Sequence, residues 1–561
     1  MATTRTEERI AASKGLLREA PVVFKAANSI EQAAVLLALP ALQSQGLLKA
    51  LEVYGPLPAG YYNLTHILLL LSYMALLRIA NPEQLKTCNP GELGRIMGLD
   101  RVPEMRCLRQ KIKLITAQQK AIDFEKSLFA GWINPQQDGC LFFYIDGHVR
   151  IYFGNKANLN KTYVSRQKLC LCGTTEYWVN DQQGSPYMSV IGELNEHLRM
   201  VIEEQLVPRL LEDTKEMVTQ QQLDANTQLP RFTLFFDREA YDTSFFIRLW
   251  QGHRIAIVTY RKNVKDKWPE EDFKPFETQV INNKSTILLC EKTVELGGHH
   301  FREIRKLSEG AHQTSIITTN PMLSLNQTAG SMFSRWSQEN YFRYMIAEFN
   351  FDKMIQYGVE EIEENTKVVN PAYNKLTQQI KKTTEKQRRT EAQLFELMEK
   401  LQQPLKPHEQ ALIAQKQAET QQTSQAYATH IAALKAKRKE ITRTVALKDM
   451  PEAGRYNCLK KESKLFMNVI KMIAYRAETV LYNLIKPIFK NAEKEGRQII
   501  QSILASDADM LPDYEANTLT VKIHGQATPK INELLKSLCD QMNETKTVYP
   551  NTDLVLIFKT V

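Results

Sequence analysis

Two short runs of strand-forming residues each deliver an aspartate into an apolar setting. Residues 141–145 are continuously apolar and aromatic and lead into Asp146, Gly147 and His148; residues 232–236 form a second such run and lead into Asp237. Runs of this composition read as buried strands. A buried strand does not usually set a carboxylate at its end without a partner or an ion. A third carboxylate lies in GSMFSRWSQENYFRYMIAEFNFDKMIQY, residues 330–357. There Phe333, Trp336, Tyr341, Tyr344, Met345 and Phe349 recur at helical spacing, and Arg335 and Glu339, four apart, share one helix face. Taken alone, that pair reads equally as an ordinary Arg–Glu helix pair. Two acidic strand ends and one acidic helix make a three-carboxylate set, which suits Mg2+ or Mn2+, hard ions that take oxygen ligands.

This pattern resembles the DDE transposases of bacterial insertion sequences, whose catalytic core is RNase H-like. In that family the first Asp lies on the first core strand, the second on the fourth, and the Glu on a later helix. The resemblance therefore implies Asp146, Asp237 and Glu339 as catalytic and metal-binding residues, separated by 91 and 102 positions. The long second gap resembles the subgroup with a β-rich insertion before the Glu helix and a Tyr-x2-Arg-x3-Glu-x6-Lys signature. Arg335 and Glu339 fit that signature, while Met332 and Ile346 stand at its Tyr and Lys positions. The activity implied is metal-dependent cleavage at the element ends and joining of the freed 3′-hydroxyl to target DNA. It implies two Mg2+ or Mn2+ ions per site, with Asp146 bridging both. Double-stranded DNA, a homodimer or higher oligomer on that DNA, and a cytoplasmic, nucleoid-associated setting are implied with it.

Around the three acids, several residues have two readings each. Arg335, one turn before Glu339, orients the carboxylate or binds a DNA phosphate. His148 is a phosphate ligand or a structural histidine. Trp336 is a platform for an unpaired base or a core residue. Arg261, just after a core strand, meets DNA or is a surface charge. Two other function classes fit the same residues: a metal-dependent nuclease without strand transfer, and a DNA-binding protein with a decayed core.

At 561 residues the chain has room for several domains. Its 43% hydrophobic and 24% charged content is that of a soluble globular protein, and a net charge of +9 permits a polyanionic partner without demanding one. The eight cysteines lack zinc-finger spacing and read as reduced thiols. The N-terminal stretch lacks the apolar core of a signal peptide, and the most apolar run, residues 67–77, is too short to span a bilayer, so no membrane partner is expected.

The expected fold class is α/β. An RNase H-like core occupies 138–261, a β-rich insertion 262–329, and the core helix with Glu339 lies in 330–366. Residues 1–130 read as a helical domain. In it, 89–115 outlines two short helices around a tight turn, a helix-turn-helix whose second helix carries Arg106, Arg109, Lys111 and Lys113. Those cations lie on DNA phosphates or form the solvated basic face of a helical unit. Residues 367–447 predict a long antiparallel helical hairpin around Pro404 and Pro407. Residues 371–450 carry 15 Lys+Arg against 8 Asp+Glu, so most of the surplus charge sits there. An arm that grips DNA and a dimerisation hairpin both fit. Residues 448–561 read as amphipathic helix followed by a small α+β region.

Overall fold

The computed structural model describes residues 4–133, 141–154, 159, 161–164, 169–192, 197–280, 283–351, 359–361, 364–365, 367–401, 406–450 and 457–561. The protein is mixed α/β and divides into two compact units. One comprises Met1–Phe153, Lys161–Gly358 and Lys460–Val561, the other Gly154–Asn160 and Val359–Leu459.

The first unit begins with helices α1 (Thr6–Ser13), α2 (Leu39–Ser44), α3 (Ala50–Tyr54), α4 (Leu64–Leu76), α5 (Pro90–Ile96), α6 (Met105–Thr116) and α7 (Ala121–Trp132), with strand β1 (Ala27–Ile30) after α1. The periodicity of residues 30–51 predicts one helix, but the chain breaks into short pieces. Pro40 sits in the first turn of α2, and Gly46 just beyond its end takes a φ of 87°. Helix α4 is apolar on every face and every one of its residues is buried. At 13 residues it is too short for a bilayer, and among the described residues no single helix is long and apolar enough to cross one.

Asn63 caps α4 by accepting the His66 N–H, while His66 Nδ1 accepts the Asn63 N–H. Burial lowers the His66 imidazole to about 4. An unfolded histidine takes up its proton near 6.5, so the unfolded chain binds more protons between these values and stability falls as pH drops through that window. Urea unfolding of the wild type is expected to lose about 2 kcal/mol from this group between pH 7 and pH 4.5, and His66→Gln is expected to remove that slope.

A ten-stranded sheet follows, built from β2 (Phe142–Ile151), β3 (Lys161–Val164), β4 (Leu169–Asn180), β5 (Pro186–Ile191), β6 (Phe232–Phe236), β7 (Ile255–Tyr260), β8 (Lys274–Val280), β9 (Asn283–Leu296), β10 (His299–Leu307) and β11 (Gln313–Thr318). Between β5 and β7 lie α8 (Leu198–Val201), α9 (Val207–Asp213), α10 (Gln220–Ala225) and α11 (Thr243–His253). Strand β4 runs antiparallel to β2, β3 and β5, whereas β6 is parallel to both β2 and β7. The centre of the sheet thus reads β5-β4-β2-β6-β7.

Two expectations change here. The Asp146-Gly147 pair does not end a strand. β2 continues through it to Ile151, because Asp146 to Ile151 all stay in register with β4. The insertion does not stand apart from the core either, since β11 pairs with β7 and β8–β10 extend the same sheet.

After β11 come α12 (Leu325–Ser334) and α13 (Trp336–Ala347), which meet at Arg335. One continuous helix over 330–357 was expected. It breaks at Arg335 and stops at Ala347, where Asn350 takes a positive φ of 47° and the Phe351 N–H turns back to the Met345 carbonyl. Residues 352–357 lie outside those described. Gly330 lets α12 sit against the insertion: a Cβ there would come 2.4 Å from the Gln279 carbonyl oxygen at the end of β8.

The C-terminal part of this unit holds α16 (Glu462–Ile485), α17 (Ala492–Leu504) and α18 (Pro529–Glu544), with strands β16 (Ala508–Asp513), β17 (Thr518–Ile523) and β18 (Val555–Thr560). α16 is a central core helix that packs against α2, α4, α7 and β5. Strand β1 pairs with β16, so the N-terminal helical region and the C-terminal α+β region share one sheet.

The second unit is an antiparallel hairpin of α14 (Pro371–Leu401) and α15 (Pro407–Lys439). Its base is closed by paired strands β13 (Lys367–Val369) and β14 (Thr444–Ala446), and β12 (Val359–Glu361) pairs with β15 (Asn457–Leu459). Ile380, Ile431 and Leu434 form a buried seam near the base. Pro404 lies outside the described residues.

Candidate active site

The sheet brings the two aspartates side by side. β2 and β6 are parallel, and their last registered pair is Ile145–Phe236. Asp146 and Asp237 are each the next residue. Parallel neighbours lie about 4.8 Å apart, and side chains alternate faces. Ile145 and Phe236 enter the main core, so Asp146 and Asp237 fall on the opposite face, which Tyr144 and Phe235 share. That face is covered by α12, through Met332 and a hydrogen bond from the Tyr144 hydroxyl to the Ser331 carbonyl (2.9 Å).

Arg335, at the junction of α12 and α13, stands over these strand ends. Its Nη1 meets Asp146 Oδ2 at 3.2 Å and its Nη2 meets Glu339 Oε1 at 2.9 Å. The expected Arg–Glu helix pair is present, but the guanidinium also reaches across 189 positions to the first aspartate. Asp146 is half-buried. Burial raises its carboxyl to about 6, against the pull of Arg335 and a bond from the Gly147 N–H, and Asp237 and Glu339 push it further up. Glu339 is exposed, and Asp237 accepts the Arg238 N–H at 2.6 Å.

The helix carrying Glu339 is pinned by a residue whose role the sequence pattern did not reveal. Gln338 is fully buried, and its Nε2 donates toward the carbonyls of Tyr144 and Trp178 and the side-chain oxygen of Asn180. It thereby fastens α13 to β2 and β4 beside Asp146. The turn between β4 and β5 completes the clamp. Gly184 has a φ of 88° and a Cβ there would come 2.8 Å from the Ser337 carbonyl oxygen, while the Ser337 hydroxyl donates to the Gln182 carbonyl. Gln338→Leu removes the buried donor that the Tyr144 and Trp178 carbonyls and the Asn180 amide oxygen share. Thermal or urea unfolding is expected to show a loss of about 2–3 kcal/mol.

Tyr260 at the end of β7 is a second neighbour that sequence reasoning missed. Its pair register, one beyond Phe236–Thr259, sets it beside Asp237. Burial raises its hydroxyl, with Arg335, Asp237 and Glu339 all acting on it. The exposed Arg238 guanidinium lies 5.6 Å from the Tyr260 ring centroid. Neither role is legible in the sequence without the strand pairing.

The other expected residues separate. Trp336 is 54% exposed at the start of α13, immediately after Arg335, so it is no core residue. His148 is buried, its ring stacked on Phe342 at 5.6 Å and tilted against Phe351 at 5.7 Å, which is a packed position. Arg261 is engaged by buried Glu303, which also holds Arg305 and Ser315, so it is a member of an internal ion network rather than a surface cation. On α6, Leu108, Ile112 and Ile115 are buried and Arg106, Arg109 and Lys113 are exposed, with Arg109 paired to Glu83.

All donors at the Asp146 site are carboxylate oxygens, the set a hard divalent ion takes. Among the described residues no group of three or more His, Cys, Asp or Glu is placed as a ready metal cage. Here a guanidinium supplies the positive charge between Asp146 and Glu339. The chemistry of the donors fits a divalent cation, on the condition that Arg335 yields its position.

A family model described as "Transposase protein" matches residues 1–561. Comparison with curated proteins finds no match. Among solved structures, the chain is similar to the cryo-EM structure of a piggyBac transposase synaptic complex with hairpin DNA, at 10% identity and a TM-score of 0.31, over 79% of this chain and 75% of that one. A likeness of that size carries no argument about this site.

Proposed function

The chain belongs to the transposase protein family, matched along residues 1–561, and from that premise we propose that it is a DDE-type DNA transposase of a bacterial insertion sequence. The observation that carries the reading is that Asp146 and Asp237 follow the last registered pair of two parallel neighbouring strands while one guanidinium bonds both Asp146 and Glu339. The order β5-β4-β2-β6-β7, a three-strand meander followed by two parallel strands, supports an RNase H-like core, and β8–β11 correspond to the β-rich insertion of the resembling subgroup.

In this reading Asp146, Asp237 and Glu339 hold Mg2+ or Mn2+. Two such ions, when bound, activate the attacking oxygen and stabilise the leaving one in an in-line displacement at phosphorus. The chain's own residues do the rest. Arg335 holds Asp146 and Glu339 together while no ion is bound, then turns to a DNA phosphate, for which its planar fork is suited. Trp336, exposed beside it, stacks on a base unpaired at the cleavage point. Gln338 fixes the helix that presents Glu339. Arg238 lines the mouth of the site and contacts the backbone, and α6 offers Arg106, Arg109 and Lys113 to duplex phosphates. One site thus serves both hydrolysis at the element end and joining of the 3′-hydroxyl to target DNA, in a dimer or larger assembly on DNA.

The experiment is incubation of purified protein with DNA carrying the ends that flank its own gene, plus a second target DNA, with Mg2+ or Mn2+ or with chelator. Metal-dependent cutting at the ends and joined product are expected. Cutting without joining would replace the reading with a nuclease, and no cutting under any condition would remove it.

A further inference from the structure

The helical hairpin is polarised along its length. Its base, residues 371–390 and 431–443, carries 11 Lys+Arg against 2 Asp+Glu, while its outer part, residues 391–430, carries 3 against 5. The cations of the base other than Arg438, among them Lys381, Lys382, Arg388 and Arg389, are exposed. The outer part instead exposes Phe395 (62%), Met398 (47%) and Leu412 (67%) beside Glu391, Glu396 and Glu399. The buried seam of Ile380, Ile431 and Leu434 belongs to the base alone.

We propose that this hairpin is the contact surface for a second copy of the chain, two hairpins lying antiparallel so that each acidic, apolar outer part rests on the other's basic base. The inference does not rest on the reading of the Asp146 site. Opposite charges then face each other at both ends of a two-fold interface, and any parallel arrangement sets like charge against like. The apolar side chains fall on the smooth face made by the exposed alanines Ala428, Ala432 and Ala436, spaced four apart on α15. The size is sufficient. A helix of 31 residues is about 46 Å long, and two packed side by side present a face about 18 Å wide, or roughly 800 Å2 per partner, the extent of a standard stable interface. An arm built only to grip DNA would be basic throughout, whereas carboxylates and an exposed phenylalanine at its end repel phosphate and gain nothing from it.

The test is sedimentation velocity on the full chain without DNA at 0.1 M salt. Wild type is expected to form a dimer. E391K/E396K/E399K and, separately, K381E/K382E/R388E/R389E are each expected to raise the dimer dissociation constant at least tenfold with helical content unchanged by circular dichroism. The chain carrying both sets is expected to dimerise again, because the complementary charges are exchanged rather than lost. Phe395→Asp is expected to weaken the dimer even at 1 M salt. A wild type that stays monomeric at 100 µM without DNA, or dimers indifferent to all of these changes, or a combined variant no better than either parent, would overturn the proposal. A wild type that assembles only on DNA would assign the base to DNA and overturn it as well.

Discussion

Asp146→Asn, Asp237→Asn and Glu339→Gln are each expected to lower metal-dependent DNA cleavage by ~10^3-fold or more while leaving DNA binding intact. The size follows from what each carboxylate does. Divalent ions at a reacting phosphate supply several kcal/mol of transition-state stabilisation, and each 1.4 kcal/mol is about tenfold in rate. Removing one anionic oxygen donor from a three-donor set removes most of that contribution. The substitutions keep size and shape, so the strand ends and α13 are expected to stay in place. Asp146→Asn in particular keeps one oxygen, enough to accept from either Gly147 or Arg335, which bond different oxygens of the carboxylate. Cleavage gels with gel-shift binding on the same preparations separate the two effects. The three variants are also expected to fail at joining a pre-cut 3′ end, since both steps use one site.

The second large effect concerns Arg335. Its side chain is 12% exposed and lies between Asp146 and Glu339. Its guanidinium is held charged by those two and by Asp237, against the opposing effect of its burial. Arg335→Ala leaves the carboxylates without a cation, a loss of about 1–2 kcal/mol for pairs whose carboxylates are 26% and 46% exposed. A divalent ion then binds the folded state more tightly than in wild type, because no guanidinium has to be displaced. Binding at 100 times the dissociation constant returns about 2.7 kcal/mol. The expected result is a melting temperature that drops in Arg335→Ala without metal and recovers with millimolar Mn2+, while wild type responds far less. Cleavage by this variant is expected to stay low in spite of tighter ion binding, since the phosphate contact is gone. Calorimetric melting with and without Mn2+ is the measurement. An unchanged melting temperature in both conditions would show that Arg335 is a surface ion pair and no more.

The parts of the site that could be read from the sequence are those set by local pattern. Asp146 and Asp237 stand out because a carboxylate directly after an apolar run is costly wherever the run is buried, whatever pairs with it. Arg335 and Glu339 follow from helical spacing alone. What the sequence did not reveal depends on pairing between distant segments. Gln338 looks like any polar helix residue until β2 and β4 bring the carbonyls of Tyr144 and Trp178 beneath it. Tyr260 and Arg238 join the site only through the register of β6 and β7. The reach of Arg335 to Asp146 likewise needs α12 laid on the sheet.

Element boundaries failed where one residue's backbone outweighed its neighbours' periodicity. Asp146-Gly147 has the composition of a tight turn, but uninterrupted pairing with β4 carries β2 straight through it. The helical pattern of 330–357 ends early at Asn350, one of the few residue types that adopts a positive φ at small cost. Trp336 was ambiguous between core and surface because its spacing fits the apolar stripe. At the start of α13 Trp336 is 54% exposed, off the buried face that Tyr341, Phe342 and Met345 make.

The central claim is that Asp146, Asp237 and Glu339 form one divalent-ion site, and its most direct test is Mn2+ binding read by electron paramagnetic resonance on the protein bound to element-end DNA. The predicted result is bound Mn2+ in wild type and a sharp loss of it in each of Asp146→Asn, Asp237→Asn and Glu339→Gln. Bound Mn2+ that survives all three substitutions at wild-type strength would contradict the claim and send the search for the catalytic centre elsewhere in the chain.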